Sequence, residues 1–86
     1  MQLSNAIRQR IINVSKEKNK TLKEISKESG ISYPAIISFM NGSNRTLKIN
    51  TLFEICKVLN IELIDFFDNE LFDDVIDETE KENLKK

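Results

Sequence analysis

"TLKEISKESGISYPAIISFMNG", residues 21–42, holds both glycines and the only proline of an 86-residue chain. Thr21-Leu22-Lys23-Glu24 has the S/T-x-x-E spacing of a capping box. The Thr21 hydroxyl accepts from the Glu24 amide, and the Glu24 carboxylate reaches back to the Thr21 amide. That predicts a helix to about Ser29, with Leu22 and Ile25 inward. Gly30 stands where the chain must turn with positive φ, a conformation that suits glycine. Ser32 is placed to cap the next helix, and Pro34 lies in its first turn, where a missing N–H costs nothing. Proline also disfavours helical backbone at Tyr33, which leaves the start open by one residue. Asn41-Gly42 closes the segment.

Outward from this stretch the chain reads as helices joined by short turns, with no strand-like alternation. Ser4 is the expected cap of a first helix over 5–18. Leu3, Ile7, Ile11 and Val14 make its apolar stripe, and Asn19 is a left-handed stop. After the loop "GSNRTLK", Asn50 or Thr51 opens a fourth helix, "NTLFEICKVL", with Leu52, Ile55 and Leu59 on one stripe. "NIELIDFFD" supplies a short fifth helix bearing Leu63, Ile64, Phe66 and Phe67. In the tail, Leu71/Val75 and Phe72/Ile76 are four apart, which predicts a helix to at least Thr79. The expected organisation is all-α: a five-helix domain over 1–68 and an acidic amphipathic C-terminal tail over 69–86.

Composition narrows the function. With no histidine and one cysteine, nucleophile–histidine catalysis and an internal disulfide are excluded, and a transition-metal site is not expected. The carboxylates of 49–86 form no recognisable catalytic pair, so no enzyme and no cofactor is expected. Apolar runs are too short to span a membrane, and MQLSNAIRQR lacks the apolar segment of a signal peptide, so a cytoplasmic protein is expected. A chain this size buries only roughly 60% of its unfolded surface, so nearly every large apolar residue is needed in the core. The net charge of −1 hides an asymmetry. Residues 1–48 carry nine Lys/Arg against three Asp/Glu, a net of +6, and residues 49–86 carry four against eleven, a net of −7. A local basic field of that kind is compatible with nucleic acid whatever the whole-chain balance.

Two short helices, a glycine turn and basic flanks make a helix-turn-helix pattern. Counted from Leu22 as position 1, Ile25, Ile31, Ile36 and Phe39 fall at 4, 10, 15 and 18, where such helices pack together. Ser26 falls at 5, where the helices cross and a small residue is needed, and Gly30 at 9, in the turn. Over about residues 3–68 the chain resembles the phage repressor and Cro-type (XRE-like) DNA-binding family. "NG" after helix three, "TL.EIC..LNI" in helix four and "L.DFF" in helix five share in the likeness. The resemblance implies five helices and sequence-specific binding of double-stranded DNA, usually by a homodimer on a palindromic operator.

The departures are specific. Leu22 stands where many members have a phosphate-contacting glutamine, and Ser29 where an apolar residue is usual. Ser15 and Met40 stand where many members pair arginine with glutamate. Leu47 stands where proline is common.

With Ile25, Ile31, Ile36 and Phe39 in the core, Ser32, Tyr33, Pro34, Ile37, Ser38 and Asn41 are left on the outer side of helix three. In the family that face enters the major groove. It lacks the Arg and Gln/Asn residues of strong bidentate base pairs. Its expected readout is therefore thymine-methyl contact and DNA shape. Tyr33 packing on the protein surface, and Ile37 against a neighbouring helix or chain, are the alternatives. Thr21, Lys23, Ser43, Asn44, Arg45 and Lys48 are the expected backbone contacts, with Arg8 and Arg10 weaker candidates. Phe66, Phe67, Leu71 and Phe72 are the expected homodimer contacts. The expected function is a transcriptional regulator, a repressor of phage or mobile-element type. The alternative is an antitoxin-type module holding a protein partner through 69–86. Cys56 is expected to be a small, semi-buried apolar residue.

Overall fold

The computed structural model describes residues 1–76 of the chain. Five α-helices follow in order: α1 (Leu3–Glu17), α2 (Leu22–Ser29), α3 (Tyr33–Met40), α4 (Ile49–Val58) and α5 (Leu63–Phe67). A 3-10 turn, Glu70–Phe72, comes after them. The described residues are all-α, as expected. One core unites these elements: Ile11 and Val14 from α1, Ile25 from α2, Ile36 and Phe39 from α3, Leu52, Ile55 and Cys56 from α4, then Leu59 and Phe66. The stripes read from helical periodicity in α1, α2 and α4 supply most of it. Ile31 is half-buried against this core and does not lie inside it. Asn19 and Asn60 end α1 and α4 in the left-handed region, at φ 57° and 55°.

The ends of α1 and α4 differ from expectation. Ser4 does not cap α1; it is buried inside the first turn, and Gln2 precedes the helix without a side-chain bond. The chain has another way to satisfy this end. Residue 2 pairs with Ile76 in a parallel bridge, the Leu3 amide donates to the Ile76 carbonyl (3.4 Å), and the Ile76 amide donates to the Met1 carbonyl (3.1 Å). One of the orphan amides of a helix start thus finds a backbone partner from far along the chain. Leu3, placed at this edge, stays exposed. α4 opens at Ile49 after Lys48, without a side-chain cap from Asn50 or Thr51.

The tail departs furthest. Residues 69–76 are not an α-helix. The Asn69 carboxamide oxygen accepts from the Leu71 amide (3.0 Å), which sets a tight turn in place of a helical start. That turn folds Phe72 back onto α5, where its ring lies 5.0 Å from Phe67 and 6.1 Å from Phe66. Of the tail's apolar residues, Phe72 packs against the core, Leu71 and Val75 are half-buried, and Ile76 stays exposed. The expected helix over 77–79, and the rest of the 69–86 segment, lie outside the described residues.

Phe66 needs a further correction. It is fully buried in the monomer, edge-on to Phe67 at 5.1 Å, so it cannot face a second copy. Phe67 remains about one-third exposed, and Leu71 and Phe72 are half-buried. The most exposed apolar side chain of this region is Ile64, at 78%.

Among the described residues no helix is long and apolar enough to cross a membrane.

Candidate nucleic-acid interface

The geometry between α2 and α3 is set by short-range hydrogen bonds. Both halves of the capping box form: Glu24 N–H donates to Thr21 Oγ1 (3.1 Å) and Thr21 N–H to Glu24 Oε1 (3.0 Å). The bond from the Thr21 amide to the ionised carboxylate, with the Thr21 hydroxyl beside it, holds Glu24 below its usual pKa. The capping box also places an anion of the chain's own at the start of α2, so Thr21's amide and hydroxyl lone pair are already engaged. Gly30 turns the chain at φ 80°. Ser26 and Ser29 then brace the turn: Ser26 Oγ donates to the Ile31 carbonyl (2.5 Å), and Ser29 Oγ accepts from the Ile31 amide (3.2 Å). Ser29, unusual for the pattern, acts here as a polar strut.

On α3, Ile36 and Phe39 point into the core and leave a distinct outer face. Ser32, Tyr33, Pro34 and Asn41 are exposed, and Ile37 and Ser38 are half-buried. Ser32 caps the helix, accepting from the Ala35 amide at 3.3 Å, and its hydroxyl proton remains available to a partner. Tyr33 is the first helical residue despite the following proline. Lys23 Nζ lies 5.8 Å from the Tyr33 ring centroid, which links the two helices and puts a cation beside the phenol.

The loop after α3 is ordered by side-chain-to-backbone bonds of the Asx kind. Asn41 Oδ1 accepts from the Ser43 amide (2.8 Å), and Asn44 Oδ1 accepts from the Thr46 amide (3.1 Å) and hydroxyl (3.0 Å). Asn41 and Asn44 therefore keep mainly their amide NH2 groups for any partner. Ser43, Arg45 and Lys48 are exposed along the same loop, and Lys23 is exposed on α2. The cation of Lys20, by contrast, is bound by the Glu28 carboxylate at 2.7 Å.

Arg8 and Arg10, expected only as weaker DNA-backbone candidates, have roles inside the fold that the sequence does not announce. Arg8 Nε donates to the Phe39 carbonyl (2.6 Å), Nη2 to the Asn44 carbonyl (3.1 Å) and Nη1 to Asn5 Oδ1 (2.7 Å). Its guanidinium also lies 4.7 Å from the centre of the Phe39 ring. Arg10 is buried; its Nε donates to the Phe66 carbonyl (2.7 Å) and its Nη2 to the Asp65 carbonyl (2.9 Å). Arg10 holds two carbonyls of α5, and Arg8 holds one near the C-terminus of α3 and one in the loop that follows; the dipole at a helix C-terminus favours such a cation. Arg8 clamps α3 and its loop to α1, and Arg10 clamps α5. Their positions beside the stripe residues Ile7 and Ile11 were the available signal: a long cation at the rim of a buried face reaches along the interior.

Cys56 is 1% exposed, and burial pushes its thiol up to about 11, with nearby Arg10 acting weakly in the other direction. It is an inert core residue. No group of acidic, cysteine or histidine side chains among the described residues could hold a metal ion.

In comparison with known proteins, a family model described as "Helix-turn-helix" matches residues 12–66, from within α1 to Phe66 in α5. Searches of curated proteins and of solved structures find no match. The match covers well over half of the chain, and with the five-helix architecture it makes the protein a member of the helix-turn-helix family, a family of general DNA-binding domains.

Proposed function

We propose that the protein is a sequence-specific, double-stranded DNA-binding transcriptional regulator, a repressor of the phage or Cro (XRE-like) type. α2 and α3 are its helix-turn-helix, and α3 enters the major groove. One observation carries this reading. Gly30 and the Ser26/Ser29 struts hold α3 so that Ile36 and Phe39 are buried, while Ser32, Tyr33 and Pro34 at its N-terminal end stand clear. Lys23, Arg45 and Lys48 are exposed around that end and the following loop, positioned for phosphates.

Base contacts come from Ser32 and Tyr33, from Pro34 and Ile37 against thymine methyls, and from Ser38 and Asn41. Backbone contacts come from the Thr21 region, Lys23, Ser43, Asn44, Arg45 and Lys48. Because Glu24 already occupies the α2 start, Lys23 contributes there more than the Thr21 hydroxyl does. The protein acts as a homodimer, and the contact is made by Phe67 with the half-buried Leu71 and Phe72, joined by Ile64 on α5 in place of the buried Phe66. The antitoxin-type alternative finds less support, since residues 69–76 are engaged with α1 and α5 of their own chain.

Mobility shift on AT-rich duplexes at low and moderate salt tests the proposal. Binding that falls steeply with salt is expected. Absence of binding at low salt would refute it.

A further inference from the structure

Beneath α3 and its loop lies a cavity of about 280 Å3, open to solvent on one side. Core side chains of α2, α3 and α4 form its floor. Around it stand the half-buried Leu22, Met40 and Leu47, with Lys48 and Thr51 at the polar side. Leu22, Met40 and Leu47 are three of the positions where this chain departs from the family pattern. In each case an aliphatic or thioether side chain stands where glutamine, glutamate or proline is common. Departures scattered along 26 residues of sequence, from Leu22 to Leu47, thus converge on one apolar wall.

We propose that this cavity binds a compact amphiphile: an apolar body with a single anionic head. Size and chemistry both point to that class. An apolar cavity of roughly 150 Å3 accepts benzene, so this one has room for a body about twice as large. Its walls offer dispersion contacts and few hydrogen bonds, as small-molecule sites usually do. The Thr46 hydroxyl is engaged by Asn44. Lys48 has no carboxylate partner among the described residues, so its ammonium is available to an anion at the mouth. α3 and the 44–48 loop form part of the wall, so an occupant changes the surface proposed to meet DNA. That consequence rests on the function proposed above; ligand binding itself does not and is measured without DNA.

The test is an NMR titration of the full chain with octanoate, using 1-octanol as the uncharged counterpart. Saturable shifts at the amides of Leu22, Met40, Leu47 and Thr51 are expected, with Kd below about 1 mM. Lys48→Ala is expected to weaken octanoate about tenfold, the loss of one charge-assisted contact, while leaving octanol unchanged. Leu47→Phe should fill the space and abolish binding of both probes. Leu22→Gln, which changes a half-buried wall residue to one similar in size and polar, should weaken both and serves if the larger residue perturbs folding. Absence of saturable shifts, or equal affinities for the two probes that ignore Lys48→Ala, would overturn the proposal. So would shifts of the same amides with protein concentration alone, which would assign the cavity to a second copy.

Discussion

Arg8→Ala separates a clamp from a phosphate contact. Arg8 has a partly buried bond to the Phe39 carbonyl, exposed bonds to Asn44 and Asn5, and a contact with the Phe39 ring. A hydrogen bond from a charged group contributes about 1.5–3 kcal/mol when shielded, and exposed ones far less. A cation over a ring at a part-exposed site adds about 0.5–1 kcal/mol. The variant should therefore lose about 2 kcal/mol. At about 4–8 °C per kcal/mol for a domain this size, its Tm should fall by about 10 °C. Arg8→Lys should not restore the loss, because one ammonium cannot span two backbone carbonyls and Asn5 as the planar fork does. DNA affinity should fall through loosening of the 41–48 loop, with the slope of log K against log salt unchanged. Arg45→Ala should instead reduce that slope by about one contact and weaken all duplexes alike. Calorimetry and salt-dependent binding read the two effects. An Arg8→Ala protein of unchanged Tm whose salt slope drops by about one would refute the clamp.

Three other outcomes follow from single residues. The buried Ser15 hydroxyl has no hydrogen-bond partner among the described residues, so Ser15→Ala should raise stability by about 1 kcal/mol in denaturant unfolding. Gly30 has open space where a Cβ would stand but a φ of 80°, so Gly30→Ala should cost about 1 kcal/mol through backbone conformation alone, with the same unfolding slope. The Cys56 thiol is raised to about 11 in the fold. Its contribution to stability is thus complete below its ordinary pKa and is lost as pH rises toward 11; Cys56→Ala should flatten stability against pH in that window.

Local chemistry was legible because its partners are neighbours in sequence. The capping box at Thr21 and Glu24, the Ser32 cap and the positive φ at Asn19, Gly30 and Gly42 each involve residues within a few positions. The core of α2 and α3 followed from spacing for the same reason. The arginines show where this fails. Arg8 to Phe39 and Arg10 to Phe66 are bonds across 31 and 56 residues, and no periodicity signals them. The tail differs because an i,i+4 apolar pair is compatible with folds other than a helix: here Phe72 packs on α5 while Ile76 stays exposed and pairs through its backbone. The pairing of Ile76 with residues 1–3 decided the outcome from the far end of the chain. The outer face of α3 was legible as a surface, since it is what remains once Ile36 and Phe39 are buried. The loop bonds that engage Asn41 and Asn44 were not.

Selection of bound duplexes from a random pool, run in parallel on the wild type, Tyr33→Ala and Ile37→Ala, tests the central claim most directly. The account predicts enrichment of AT-rich, two-fold symmetric sites by the wild type. It also predicts a changed preference at thymine positions in the Ile37→Ala pool. Contrary results would be no enrichment at low salt, or an identical site selected by all three proteins.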